Sequence, residues 1–402
     1  MVSLLLPDGR LTTEKFPAGA DLLDIFRSVL CFWTEQPRDG GRLRHAAGPD
    51  AIEAYLDDPL DSRLIMSMKT YLAQRSFTET RIAGRVFTLQ ALIASFLRRL
   101  LDRVDLAGAR IVVGRPVRFA GDQPDDALGE TRLRAAFAEA GLPDIDVALE
   151  PEAAGWRFAR TLDRAATVLV GDFGGGTSDF SLLRFEPGAV TPLGHAGIGI
   201  AGDLLDFRII DHVVSPRLGR GDSYRIMDQD LPVPPEYFSR FARWHQLSLM
   251  RNPRTLREIE EVARASADPS KLRHLKALIE DDAGYRLYRA VSAAKAALSV
   301  ADETELCFAH GSLDIRGNIA RADFESWIAP ELARLGATID RALATAGLDP
   351  GEVDHVFLTG GTSFVPAVRR LFETRFGPKK LAAGGEFVSV AEGLALIGRD
   401  RA

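Results

Sequence analysis

Residues 167–185 read TVLVGDFGGGTSDFSLLRF. Val168, Leu169 and Val170 form a short apolar run, and Phe180 to Phe185 form a second. Both read as strands bounded by turn residues. Gly174, Gly175 and Gly176 lie between them, and residues without a Cβ can take φ > 0 and let a ligand approach the backbone. Thr177 adds a hydroxyl. Asp172 enters the turn and Asp179 leaves it, so a tight hairpin brings the two carboxylates near one another. Backbone N–H groups would then point into the loop. Such a nest suits a phosphate, and the two acids suit a hydrated Mg²⁺. A flexible hairpin with solvated acids at its ends is the other reading of the same residues.

The chain around this stretch has 402 residues, enough for two or more domains and a large core. Its apolar fraction of 46% and charged fraction of 26% are those of an ordinary globular protein. A net charge of −6 favours neither nucleic acid nor an anionic membrane as partner. No apolar run approaches the length of a membrane span, and MVSLLLPDGR at the start lacks the basic residues and cleavage site of a signal peptide. A cytoplasmic location is the default expectation. Cys31 and Cys307 lie far apart and read as two buried, reduced thiols, with a disulfide between them as the alternative.

Ahead of the hairpin, residues 2–6 and 11–16 read as a strand pair about Asp8-Gly9 that opens in the middle of a sheet. Residues 36–50 read as a loop rich in Pro, Gly and Arg, and residues 50–58 as a short helix. Leu64 to Met68 is a strand that delivers Lys69. Thr88 to Asp102 has apolar residues at helical spacing. Strands are expected at 111–113 and 147–149, and helices at 130–140 and about 152–162. After the hairpin, residues 194–202 (GHAGIGIAG) read as a second glycine-rich loop, with Asp203 capping a helix to about Val214. Residues 215–235 read as a surface excursion. A charged helical pattern covers 236–300 and breaks near Pro253 and Pro269. A hairpin is expected at 305–315, one helix over 323–346 ended by Gly347, a strand at 355–359 and a helix over about 365–376. Gly384 and Gly385 precede a last helix over 388–397. Strand, glycine loop and helix thus follow one another at Gly202 and again at Gly360, and free N–H groups at such helix starts favour phosphate or ribose oxygens. There is no GxxxxGK[ST], which excludes a P-loop, and no GxGxxG followed by an acid, which argues against a dinucleotide fold. The seven histidines are scattered without metal spacing, no Ser–His–Asp order stands out, and Arg98-Arg99 and Arg369-Arg370 read as exposed helix faces.

These residues in this order resemble the nucleotide-binding domain of the DnaK-like 70-kilodalton heat-shock chaperones, within the actin and sugar-kinase superfamily. VGDFGGGTSDFSLL resembles the second phosphate loop of that family, EPEAAG at 150–155 its connecting segment, and GIAGDLLD at 199–206 the loop before the second lobe's helical part. SAAKAALS at 292–299 resembles the helix that touches adenosine, and FLTGGTSFVPAVRRLF at 357–372 the adenosine motif. Gly114-Arg115-Pro116 and the overall length resemble the short YegD-like branch, and the resemblance covers nearly the whole chain.

The resemblance implies an α/β, two-lobed actin-like ATPase (ribonuclease H-like) fold. Lobe I would take residues 1–163 with 388–402 returning to it. Lobe II would take 164–387, with a helical subdomain near 203–318. It implies that Asp172 and Asp179 hold Mg²⁺ through water and help orient an attacking water, with Glu150 beside that water from the opposite lobe. Lys69 would meet the charge of the transferred phosphate; a surface lysine is its alternative. Gly174, Gly175, Gly176 and Thr177 would bind β/γ-phosphate oxygens, and Gly202, Gly360, Gly361 and Thr362 phosphate or ribose. Lys295 and Ser299 would bind ribose and adenine. Phosphoryl transfer needs positioning and charge neutralisation more than covalent help, which suits this set.

Three departures stand against it. The family's opening strand and Asp-Phe-Gly-Thr-type loop have no counterpart here, where the sequence starts at what looks like the following strand. The arginines that sandwich adenine are replaced by Ala296 and Phe364, and the glutamate of the adenosine helix by Ser292. Phe364 either stacks on a purine or belongs to the core. No linker or peptide-binding β-sandwich is recognisable. The expected function is an ATP-binding, slowly ATP-hydrolysing chaperone-like protein without a peptide-binding domain. ATP or ADP and Mg²⁺ would be its cofactors, and a client or partner protein would be engaged through lobe motion. Alternatives are a non-catalytic nucleotide-sensing scaffold and a small-molecule kinase of the same superfamily.

Overall fold

A computed structural model describes all residues except 19–20, 36–40, 59–60, 120–122, 160–163, 187–188, 240–249, 383–388 and 402. The strand Ala166–Phe173 is the spine. It pairs antiparallel with Ser178–Glu186 and parallel with His355–Thr359, in a five-stranded sheet whose outer members are Ala189–Ile198 and Leu381–Ala382. Val168, Leu169 and Val170 are wholly buried, as expected of a strand covered on both faces. Phe180 from the hairpin's second strand packs edge-on to Phe173 and against Phe372 of the helix Pro366–Phe376, which locks the hairpin and that helix into one core.

A second, separate core gathers Leu30, Phe32, Leu92, Phe96, Leu133 and Ile145 from the first 150 residues. Its framework is a three-stranded sheet centred on Val29–Glu35, a parallel pair Ile111–Arg115 with Ile145–Leu149, and the helices Leu89–Leu101 and Asp126–Glu139. Thr88 caps the first of these helices by accepting from the Ala91 N–H at 3.1 Å, and Asp125 caps the second by accepting from Leu128 at 3.0 Å.

Several expectations are corrected. The opening strands Ser3–Leu5 and Leu11–Thr13 pair only with each other among the described residues, and the helix Ser389–Asp400 packs against them. The supposed loop over 36–50 contains the strand Arg42–Ala47, because its backbone completes the edge of Val29–Glu35; residues 36–40 lie outside the described set. Most of GHAGIGIAG is strand, Ala189–Ile198. Its glycines serve packing: a Cβ on Gly194 would lie 2.7 Å from the Ala342 carbonyl oxygen, and one on Gly197 would lie 2.5 Å from Asp179 Oδ1. Residues 323–346 form two helices, Arg321–Trp327 and Ala329–Ala346, because Pro330 can start a helix but not continue one. The surface excursion holds a small hairpin, Ser223–Ile226 with Gln229–Pro232. Cys31 is buried, but Cys307 is exposed on the hairpin strand Glu303–His310. Gly384, Gly385 and the expected boundary at 163 lie outside the described residues.

Candidate nucleotide site

The hairpin turn closes through the Gly174 N–H, which donates to the Thr177 carbonyl at 2.9 Å. Asp172 and Asp179 are cross-strand partners at its mouth, which puts their Cβ atoms about 5 Å apart. None of Gly174, Gly175 and Gly176 takes a left-handed φ. Their use is openness: a Cβ on Gly176 would meet nothing, and one on Gly175 would only touch Asp203 Oδ1 at 3.4 Å. The positive φ falls instead at Gly360, at +90°, where a Cβ would lie 2.0 Å from the Phe173 carbonyl oxygen. Glycine is obligatory there because the turn after His355–Thr359 presses on the hairpin backbone.

Two other segments reach the same mouth. The helix Glu150–Ala159 starts with Glu150, and Pro151 fits its first turn. Lys69 stands on the short 3₁₀ turn Met68–Tyr71 that follows the strand Ser62–Met66. Lys69 Nζ donates to Glu150 Oε1 at 2.5 Å. Glu150, Asp172 and Asp179 line one pocket together with Pro116, Val117, Pro151 and Ser181. Burial opposes the Lys69 ammonium, but the charges of Glu150, Asp172 and Asp179 outweigh it and raise its pKa, although about half of its side chain remains open to solvent. Burial, reinforced by Glu150, pushes Asp172 up to about 6 against the pull of Lys69. Burial, then Asp172 and Glu150, push Asp179 up to about 7, opposed by Lys69 and by the Thr177 hydroxyl that donates to it. Three carboxyls and one ammonium leave the pocket short of positive charge. A hard cation fits that deficit and the oxygen donors. Among the described residues no three His, Cys, Asp or Glu side chains are grouped so as to hold a metal ion by themselves.

On the other side of the hairpin, Lys295 Nζ donates to the Gly202 carbonyl at 3.1 Å and pairs with Asp206 Oδ1 at 2.9 Å. A Cβ on Gly202 would lie 3.4 Å from both Lys295 Nζ and Thr362 Oγ1, and 3.8 Å from the Gly174 carbonyl oxygen. Four separated segments therefore meet at Gly202. Ser299 lies just past the end of the helix that carries Lys295, Gly284–Ala297. Gly361, Thr362 and Phe364 share the 3₁₀ turn Gly361–Phe364. Thr362 is buried, whereas Phe364 is 45% exposed, so the ring is a surface and not a core residue.

Asp203 does not cap its helix. The cap is Ala201, without a side-chain bond, and Asp203 lies in the first turn beside Gly175 and 3.5 Å from the Tyr288 hydroxyl. Sequence reasoning missed Asp206 and Ser181. Asp206 is an acid on an otherwise apolar helix face, and burial pushes it up to about 6 in spite of Lys295. That pattern was the available signal. Ser181 carried none, since it alternates with core residues along its strand.

The comparisons with known proteins bear on this geometry. A family model described as Hsp70 protein matches residues 270–399. The chaperone protein DnaK of Thermus thermophilus is 26% identical over 320 residues, 78% of this chain and 44% of that protein. The chloroplastic stromal 70 kDa heat shock-related protein of Pisum sativum is 26% identical over 73% of this chain and 35% of its own length. The chain is a distant DnaK-like relative of the Hsp70 proteins. It has their actin-like ATPase fold, and it spans less than half the length of these curated relatives. Among the described residues no helix is long and apolar enough to cross a membrane.

Proposed function

We propose that the chain binds ATP or ADP with Mg²⁺ in the cleft about the Gly174–Thr177 turn and hydrolyses ATP slowly. The observation that carries this reading is the convergence of Lys69, Glu150, Asp172 and Asp179 on one side of a glycine hairpin whose other side meets Gly202, Lys295 and Thr362. The backbone of Gly174–Thr177 binds the β- and γ-phosphates, and Lys295 and Ser299 take ribose and base, with Phe364 offering its exposed ring to the purine. Mg²⁺, when bound between Asp172 and Asp179 through water, neutralises phosphate charge. Glu150 and the two aspartates orient a water whose oxygen attacks the γ-phosphorus. The bond from that phosphorus to the β-bridging oxygen breaks, and a carboxylate takes the water's proton. Gly202 and Gly360 hold the two loops close to the hairpin, and Gly361 leaves its own backbone open. A change of cleft angle with nucleotide state would alter a surface for a client or partner protein. The residue ranges 1–163, with 388–402 returning to it, and 164–387, with a helical subdomain about 203–318, are the matching division of the chain.

Titration calorimetry with ATP and ADP, with and without Mg²⁺, together with phosphate release tests the reading. Micromolar binding that needs Mg²⁺ and slow release of phosphate support it, and no nucleotide binding defeats it. The engagement of Lys69 by Glu150 favours a second reading, a nucleotide sensor without turnover, since that pair must part before Lys69 meets a phosphate. Tight binding with no phosphate release selects the sensor.

A further inference from the structure

His195 belongs to none of the roles above, yet it stands beside the pocket. It lies on Ala189–Ile198 directly across from Ser181, and Gly197 lies directly across from Asp179. Residues two apart on a strand share a face, so Asp179, Ser181, His195 and Gly197 form one four-residue patch with His195 diagonal to Asp179. Because position 197 is glycine, nothing stands between them. A Cβ there would lie 2.5 Å from Asp179 Oδ1 and 3.7 Å from His195 Nε2. The carboxylate leans into that gap, and Nε2 lies 3.7 Å from Oδ1. The other ring nitrogen, Nδ1, is 3.2 Å from Ser181 Oγ. Nε2 itself is buried and has no hydrogen-bond partner among the described residues. A buried polar nitrogen left unmatched is costly, and a shift of roughly 0.7 Å would bring Oδ1 within hydrogen-bond range.

We infer that His195 is a positioning residue for Asp179: Ser181 donates to Nδ1, and the Nε2–H so oriented donates to Oδ1 when the cleft closes. One Asp179 oxygen is then fixed toward the sheet and the other presented to the pocket. This rests on the nucleotide reading for its consequence in turnover but not for its geometry. Gly197 is part of the device, since any side chain there would push the carboxylate away from the ring.

Two measurements test it. The first is steady-state ATP hydrolysis by His195→Ala, His195→Gln and Asp179→Asn, alone and combined, with nucleotide affinity measured for each. His195→Ala should lower kcat about tenfold, in line with loss of a partner that orients a ligating carboxylate, with ATP affinity within about twofold of wild type. His195→Gln, whose amide reaches the place of Nε2, should recover most of that loss. Combining His195→Ala with Asp179→Asn should be no worse than Asp179→Asn alone, because one side chain acts through the other. An unchanged kcat in His195→Ala, or a full extra tenfold loss in the combined variant, overturns the inference. The second is long-range ¹H–¹⁵N NMR of the His195 ring, which needs no turnover. The Nε2–H tautomer, with an Nε2 signal that moves in Asp179→Asn, supports the inference, and the Nδ1–H tautomer or an unmoved signal overturns it. A protein that binds no nucleotide yet gives the expected spectrum would defeat the proposed function and leave the positioning role standing.

Discussion

Two of the places where the first 150 residues meet the rest of the chain are of opposite character. At the hairpin the contact is charged: Lys69 and Glu150 face Asp172 and Asp179. At the helix Gly284–Ala297 it is apolar. There Tyr55 of the helix Pro49–Asp57 meets Tyr285 edge-on, with ring centroids 6.3 Å apart, over Val29, Cys31 and Ala51. Both tyrosines are 3% exposed, and the Tyr55 hydroxyl donates to the Asp282 carbonyl at 3.1 Å. Tyr288, one turn on from Tyr285, packs beside the same cluster and reaches Asp203, which neighbours Gly175. The apolar contact stabilises by burial and has no need of a ligand. The charged one holds more carboxylates than its single ammonium can balance, a poor way to join two bodies but a good way to attract a cation. The difference suggests that one contact is for stability and the other for chemistry.

The sharpest way to break that comparison is Asp172→Asn. It should lower Mg²⁺-dependent phosphate release by on the order of 10²–10³-fold, as loss of a preorganised electrostatic group does. The circular dichroism spectrum should stay unchanged. Turnover equal to wild type would remove Asp172 from the site. Tyr55→Ala should do the reverse, costing about 3 kcal/mol in urea unfolding as a buried aromatic is lost. Tyr55→Phe, which loses only the hydrogen bond to Asp282, should cost about 1 kcal/mol. Equal losses for the two variants would show that packing is not what this contact contributes.

The pH dependence separates the two contacts without mutation. Asp172, Asp179 and Asp206 titrate at about 6, 7 and 6 in the folded chain, above an ordinary carboxyl near 4. The folded state then binds more protons than the unfolded state between about pH 4 and 7. Their contribution is fully present below pH 4 and is lost as pH rises through 6 and 7. Ligand-free protein should therefore be less stable at pH 7.5 than at pH 5 by roughly 1–3 kcal/mol, and Asp172→Asn should flatten that slope whereas Tyr55→Phe should not. Chemical denaturation at the two pH values reads this directly, and equal slopes in wild type and Asp172→Asn would refute the assignment. The smallest effect is expected for Lys69→Met on stability. Lys69 is about half open to water although Glu150 is not, and the loss should stay under about 1 kcal/mol by the same unfolding measurement.

Much of this was legible in the residues because the signals were local. The strand, glycine turn and strand over 167–185 stand where their chemistry puts them, and the register pairs Asp172 with Asp179. The helix over 89–101 follows its apolar spacing, and Thr88 is its cap. Where local signals conflicted with packing, packing decided. GHAGIGIAG carries turn residues, yet its first five residues lie in a strand, where the helix Ala329–Ala346 passes too close for a side chain at Gly194. Asp203 has the chemistry of a cap, yet Ala201 holds the cap position and leaves Asp203 beside the glycine turn. The three glycines of that turn proved useful for open space and not for a left-handed backbone, which falls at Gly360.

By itself the sequence determined the glycine hairpin, its two flanking acids and the motifs that resemble a nucleotide cleft, because turn chemistry and periodicity act over a few residues. Only the tertiary structure decided which distant groups meet there. Lys69 with Glu150, Lys295 with Asp206 and Gly202, and Tyr55 with Tyr285 join segments from about 80 to more than 200 residues apart. No local preference encodes such pairs. They follow from how whole elements pack within and between the buried cores, and that is a property of the whole chain.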